Sequence, residues 1–271
     1  MKLAITIVKE AAAHAPFVLR GGYAQAIRQA AEIGYDAVEM YVPDPVEVNV
    51  EEIRAACKAC GISVSSIGTG LAFVRDGITL TSRDEAVRMR ALARLQSFVR
   101  LAEALGGAVI IGLIKGQIRE SVDRPTYERH LAEALGDCLP AARQGGVTLV
   151  LEALNRYESD YLNSIEECAR FIERFDREHV KLHIDTFHMN IEEDHISRNI
   201  LAAGRRIGHV HVADSNRGYP GSGHYNFAET IAALRRVGYQ GALAVECLGL
   251  PTPEEAARGA YRFLHRAIAA G

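Results

Sequence analysis

A chain of 271 residues, 48% of them apolar, is long and hydrophobic enough for one large α/β domain with an ample core. Its formal charge is −3, with 31 basic and 34 acidic residues well mixed, which argues against the basic footprint of a nucleic-acid binder. MKLAITIVKEAAAH meets charge too early for a secretory signal, and the apolar stretch around GGAVIIGLI is too short to span a bilayer.

In chain order, short β-branched runs begin at Lys2 (KLAITIV), Ala37 (AVEMYV), Ile62 (ISVSSIG), Ala108 (AVIIGLI), Thr148 (TLVLEA), Val180 (VKLHID), Ile207 (IGHVHVA) and Ala242 (ALAVEC). Each is followed by apolar residues at helical spacing. VEEIRAACKAC, between the second and third runs, reads as a helix with Cys57 and Cys60 on one face. Two small buried residues describe that pair better than a metal or redox motif. The five cysteines have no framework spacing, which fits a reducing compartment and a cytoplasmic location. Helix starts are expected at Ser82–Glu85, Ser164–Glu167, Asn226–Glu229 and Thr252–Glu255, where a polar cap precedes Glu by three residues; Pro253 suits a first helical position. Gly34, Gly61, Gly106, Gly145, Gly204 and Gly238 are expected at helix ends.

Eight βα units without a linker predict a single domain over 1–271, a (β/α)8 barrel of the TIM type. A doubly wound sheet is the rival architecture. Its dinucleotide fingerprint is missing, since GSG at 221–223 lacks the third glycine and reads as a loop.

In such a barrel the C-terminal strand ends carry the site. The second run ends near Glu39, the third on GTG and the fourth at Lys115. The last four finish on Glu152, Asp185, His211 and Glu246. Three carboxylates and an imidazole make a hard, anionic set suited to one divalent cation, Mn²⁺ first and Mg²⁺ or Co²⁺ next. Side chains repeat every two residues along a strand, so His183 lies one layer below Asp185, and His209 one layer below His211. Both deeper histidines are expected to be packed and hydrogen-bonded. His14, His130, His179, His195 and His265 carry no usable pattern, and the role of His224 stays open. A cation chelated by a carbonyl and its neighbouring hydroxyl would stabilise an enediolate. Glu152 and Glu246, on separated strands, are the candidates to remove a proton from one face of the carbon and return one to the other.

LEALNRYESDYLN, DTFHMNIEED, HVHVADSNRGYPGSGH and VEC resemble the xylose isomerase-like sugar epimerases, specifically the D-tagatose/D-allulose 3-epimerase group. The resemblance is strongest over residues 147–250. It implies Glu152, Asp185, His211 and Glu246 as metal ligands, with Glu152 and Glu246 as the acid/base pair. It also implies Glu158, Arg217 and His188, the last on a loop just past the sixth strand, as holders of substrate oxygens. The ketose epimerases line their pocket with tryptophan, and this chain has none. SSIGTGLAFVRDGITLT and AVIIGLIKG are more similar to the branch that includes 5-keto-L-gluconate epimerase, which acts on a keto acid. Lys115 at the barrel mouth would then pair with a substrate carboxylate, against the alternative of a solvated loop lysine.

The expected activity is therefore metal-dependent epimerisation beside the ketone of a keto-sugar acid or a ketose, by an enzyme assembled as a homo-oligomer. Aldose–ketose isomerisation and dehydration pass through the same enediolate. An abasic-site endonuclease would need more metal ligands and a basic groove. A catalytically silent sugar-binding protein would not need the acid/base pair.

Overall fold

A computed structural model describes residues 1–270. The strands β1 (Lys2–Val8), β2 (Leu19–Arg20), β3 (Ala37–Tyr41), β4 (Ser63–Gly68), β5 (Ala108–Ile111), β6 (Leu149–Glu152), β7 (Val180–Asp185), β8 (Ile207–Val212) and β9 (Ala242–Val245) form one parallel sheet. It closes through β1 against β9 into an eight-stranded barrel, with helices around it, as expected. The one addition is β2. β9 pairs with Lys2–Ile5, and β2 takes over at Ile7 and Val8, near the mouth.

The strands are short, so closure puts about two inward side chains of each into the interior. At the lower level Ala4, Ala37, Ala242 and Ala244 form a small-residue cluster. The next levels hold Thr6, Glu39, Ser66, His183, His209 and His211, all buried. Small residues on β1, β3 and β9 leave room for three imidazoles from β7 and β8 and for Glu39, above Ala37 on β3. Register aligns Glu152 with His183, His183 with His209 and Asp185 with His211, so the polar side chains come together in layers.

Outside the barrel run α1 (Tyr23–Ile33), α2 (Val50–Cys60), α3 (Gly70–Asp76), α4 (Glu85–Leu105), α5 (Arg124–Gln144), α6 (Ile165–Ile172), α7 (Thr186–Glu192), α8 (Ile196–Ala203), α9 (Phe227–Arg236) and α10 (Pro253–Ala270). Ser164, Asn226 and Thr252 accept hydrogen bonds from the backbone N–H of Glu167, Glu229 and Glu255, as their spacing predicts. At α4 the cap is Asp84, whose carboxylate accepts from Ala86 N at 2.8 Å; Ser82 lies earlier and holds Asp84 N instead. The glycine expectation holds at Gly34, Gly61, Gly106, Gly145, Gly204 and Gly238; Gly145 caps α5, and the positive φ after that helix falls on Gly146. Cys57 and Cys60 are half-buried against the core on α2. Among the described residues no helix is long and apolar enough to cross a membrane.

Candidate active site

Four strand ends converge at the mouth. His211 Nδ1 lies 3.9 Å from Glu152 Oε1, 3.8 Å from Asp185 Oδ2 and 3.6 Å from Glu246 Oε2. These four residues, expected to be ligands, are thus brought around one point. His211 Nδ1 and Asp185 Oδ2 are buried and have no hydrogen-bond partner. Buried polar atoms are seldom left so, and three carboxylate oxygens and an imidazole nitrogen facing one another suit a hard divalent cation.

The atoms that do have partners explain how the donors are aimed. Asp185 uses its other oxygen to cap α7, accepting from Phe187 N at 2.7 Å, which turns Oδ2 toward the cluster. His211 donates through Nε2 to Glu39 Oε1 at 2.7 Å, which turns Nδ1 toward the carboxylates. Glu39 also accepts from His209 at 2.6 Å and from Ser66 Oγ at 2.6 Å. Burial alone would raise the Glu39 carboxyl, but His211 and His209 outweigh it and hold it well below the carboxylate range. Tyr41 donates to Glu246 Oε1. Glu39 and Tyr41, two residues apart on one face of β3, therefore support His211 and Glu246. The sequence places Glu39 at a strand end, but its pairing across the barrel depends on closure.

Burial, the largest influence, pushes Glu152 up to about 8 and Glu246 up to about 7; His211 pulls both back, while Asp185 adds to the rise. Asp185 lies at about 2 because His188 and His211 overcome its burial. His183 departs from expectation. It is buried, with its ring 4.0 Å from that of His211, but neither nitrogen has a partner. Burial and the neighbouring imidazoles keep it well below its ordinary pKa, so it packs as a neutral ring.

Of the remaining expected residues, Glu158, His188 and Arg217 line a cavity of about 320 Å³ above the cluster. His188 lies on α7 rather than on a loop, because α7 starts directly after Asp185. Its Nδ1 is 2.7 Å from Asn155 Nδ2, and its Nε2 lies 3.7 Å from Asp185 Oδ2 and 3.9 Å from Glu152 Oε1. Asn155 also donates to Glu158 Oε1, at 3.2 Å. Arg217 donates to Glu158 Oε1 at 2.6 Å and reaches to 3.9 Å from Glu246 Oε2. Its loop, with GSG at 221–223, wraps the Asp214 carboxylate, which accepts from Ser215, Gly221 and Tyr225.

Lys115 is the correction. It is fully buried and absent from the cavity wall, and its ammonium donates to the Glu152 carbonyl at 2.9 Å. It is thus neither a solvated loop residue nor a mouth cation. The chain at 113–115 tightens into a 3₁₀ turn ending at Gly116, whose φ of +78° an L side chain rarely adopts. At Gly112, before the turn, a methyl group would meet Glu152 Oε2 and push that carboxylate aside.

A closed (β/α)8 barrel with a carboxylate–imidazole cluster at its C-terminal mouth defines a metal-assisted TIM-barrel enzyme class. Residues 27–267 match the family described as xylose isomerase-like TIM barrel, and the chain belongs to that family. An L-ribulose 3-epimerase of Mesorhizobium japonicum is 35% identical over 217 residues, 79% of this chain and 72% of that protein. A 3-dehydro-D-guloside 4-epimerase of Escherichia coli is 30% identical over 224 residues, 79% and 83% of the two chains. The crystal structure of a Methylomonas D-allulose 3-epimerase in complex with D-allulose superposes with a TM-score of 0.83, at 26% identity, covering 98% of this chain and 97% of that one. The resemblance read from the motifs, and with it an isomerase acting on sugars, is borne out by these relatives.

Proposed function

We propose that this protein is a divalent-metal-dependent epimerase that inverts the carbon beside the ketone of a sugar, with Glu152 and Glu246 as the two bases. The observation that carries this reading is their placement. Both carboxylates line the cavity floor, on strands separated by β7 and β8, and both approach His211 Nδ1 within 3.9 Å. Glu152, Asp185, His211 and Glu246 would hold the cation, Mn²⁺ by preference, which supplies a Lewis acid for the carbonyl and adjacent hydroxyl oxygens. Glu152 takes the proton from one face of the carbon and Glu246 delivers one to the other, or the reverse for the opposite epimer. Arg217 and Glu158, paired with each other, and His188, held by Asn155, present donors and an acceptor to the neighbouring hydroxyls.

A neutral ketose or keto-glycoside fits this cavity better than a keto acid. The cation expected to bind a carboxylate is buried under Glu152, and the charge of Arg217 is already balanced by Glu158 at 2.6 Å. The reading includes one domain over 1–271, a cytoplasmic location and a homo-oligomer, the last checked by light scattering. The test of function is turnover of neutral ketoses and keto-hexonates in heavy water with Mn²⁺. The expected result is deuterium at the inverted carbon of a neutral ketose, lost on chelation and in Glu152→Gln. Epimerisation without solvent exchange would overturn the two-base scheme, and preference for the keto-hexonate would overturn the substrate assignment.

A further inference from the structure

The segment after β1, KEAAAHAPF at 9–17, is poor in groups that could hold a loop together. Four of its residues are alanine, and its internal backbone bonds include Ala15 N to Ala12 O and Phe17 N to Ala15 O. Carbonyls in such a segment need donors from elsewhere, and one side chain supplies them. The Arg20 guanidinium donates through Nη1 to Ala11 O at 2.8 Å and Ala12 O at 3.0 Å, through Nη2 to Ala13 O at 3.3 Å and Ala15 O at 2.8 Å, and through Nε to Phe17 O at 3.2 Å. A guanidinium has five N–H donors in a rigid planar fork, and here they meet five carbonyls of one loop.

Arg20 is itself rooted on the barrel. It closes β2, whose register sets Val8 against Arg20; Gly21 N donates to Val8 O, and Val18 N to Thr6 Oγ1. The loop it gathers forms one wall of the cavity, through Ala11, Ala12, His14, Ala15, Pro16 and Phe17. This wall runs on to the chemistry, because the Phe17 ring packs on Tyr41, with centroids 4.1 Å apart, and Tyr41 donates to Glu246.

We infer that Arg20 is a positioning residue for substrate binding: it holds the 11–17 loop as the outer wall of the cavity and so sets how tightly the end of the substrate remote from the reacting carbon is held. The inference rests on the epimerase reading for its substrate, but not for the loop. Arg20 lies outside the cavity lining, so its removal should act on binding rather than on proton transfer.

The experiment compares wild type with Arg20→Ala and Arg20→Lys, each loaded with Mn²⁺. In Arg20→Ala the expected rise in KM is about tenfold or more with kcat changed less than about threefold. Amide exchange over 11–17 should accelerate at least about tenfold while the barrel strands keep their protection. Arg20→Lys should recover only part of the KM, since one ammonium cannot span five carbonyls. Millimolar ethylguanidinium should restore KM and loop protection in Arg20→Ala. Unchanged KM and exchange would overturn the inference. So would loss of protection across the whole barrel with no guanidinium rescue, which marks a general stability role. A wild type inactive on every keto sugar would count against the epimerase reading instead, and the exchange over 11–17 would still decide the loop.

Discussion

Glu39 carries a negative charge out of solvent, and two imidazoles justify it. Its bond to His211 turns Nδ1 toward the carboxylates, so it would act on the proposed metal site through a proposed ligand. Glu39→Gln can still contact His211 but loses the charge. The expected outcome is about a 10–100-fold weaker Mn²⁺ affinity by calorimetry. Lys115 makes the complementary argument. Its type and strand-end position are plain in the sequence, but the direction of its side chain is decided by a 3₁₀ turn and Gly116, which local spacing does not encode. Lys115→Met keeps about the same volume but takes the ammonium's bond from the Glu152 carbonyl, which should lower stability by about 1–3 kcal/mol. It should change KM for a neutral and an anionic keto sugar by the same factor in steady-state assays, because the ammonium lies outside the cavity. A selective loss for the anionic substrate would restore the carboxylate role.

Among elements, the strands were the legible part. Their period of two, together with β7–β8 register, already separates Asp185 and His211 at the mouth from His183 and His209 below. Helix starts were legible wherever one polar residue stood alone at the boundary, as at Ser164 and Asn226. At Ser82–Glu85 the spacing points to Ser82, but the turn geometry makes Asp84 the cap. Asp84→Ala should therefore lower stability by about 1 kcal/mol in denaturant melts, and Ser82→Ala by less than half of that. The helix α7 was missed because seven residues carry too little periodicity to register, and because its cap is Asp185, whose sequence context signals a ligand. That double use couples helix placement to the metal donor, and the same helix brings His188 over the cluster.

At the scale of the whole molecule, the cluster links stability, pH and metal. Glu152 and Glu246 bind protons more tightly in the folded, metal-free chain, at about 8 and about 7, than the ordinary 4.5 expected on unfolding. Between those limits these two groups make metal-free stability fall as pH rises. His183, His188 and His209 oppose them: burial holds each below its ordinary value, so they favour the folded state increasingly as pH rises through about 6.5, and the net fall belongs to the range from about 7 to 8. His211, raised well above its ordinary value by Glu39 and Glu246 against its burial, acts in the same direction as Glu152 and Glu246: its contribution is present at low pH and lost as pH rises through its folded value. Glu39 is held low and stays ionised throughout this window, so it adds no slope. A divalent cation replaces those protons, and its binding must therefore strengthen as pH rises over the same range. Melting curves with chelator and with Mn²⁺, from about pH 7 to 8, test this directly. The chelated protein should lose Tm with rising pH while the gap opened by Mn²⁺ widens. At a hundredfold excess over Kd the stabilisation is about 2.7 kcal/mol, or roughly 5–10 °C for a chain of this size. A gap that stays constant with pH would mean that the cation is not held by the carboxylates of β6 and β9.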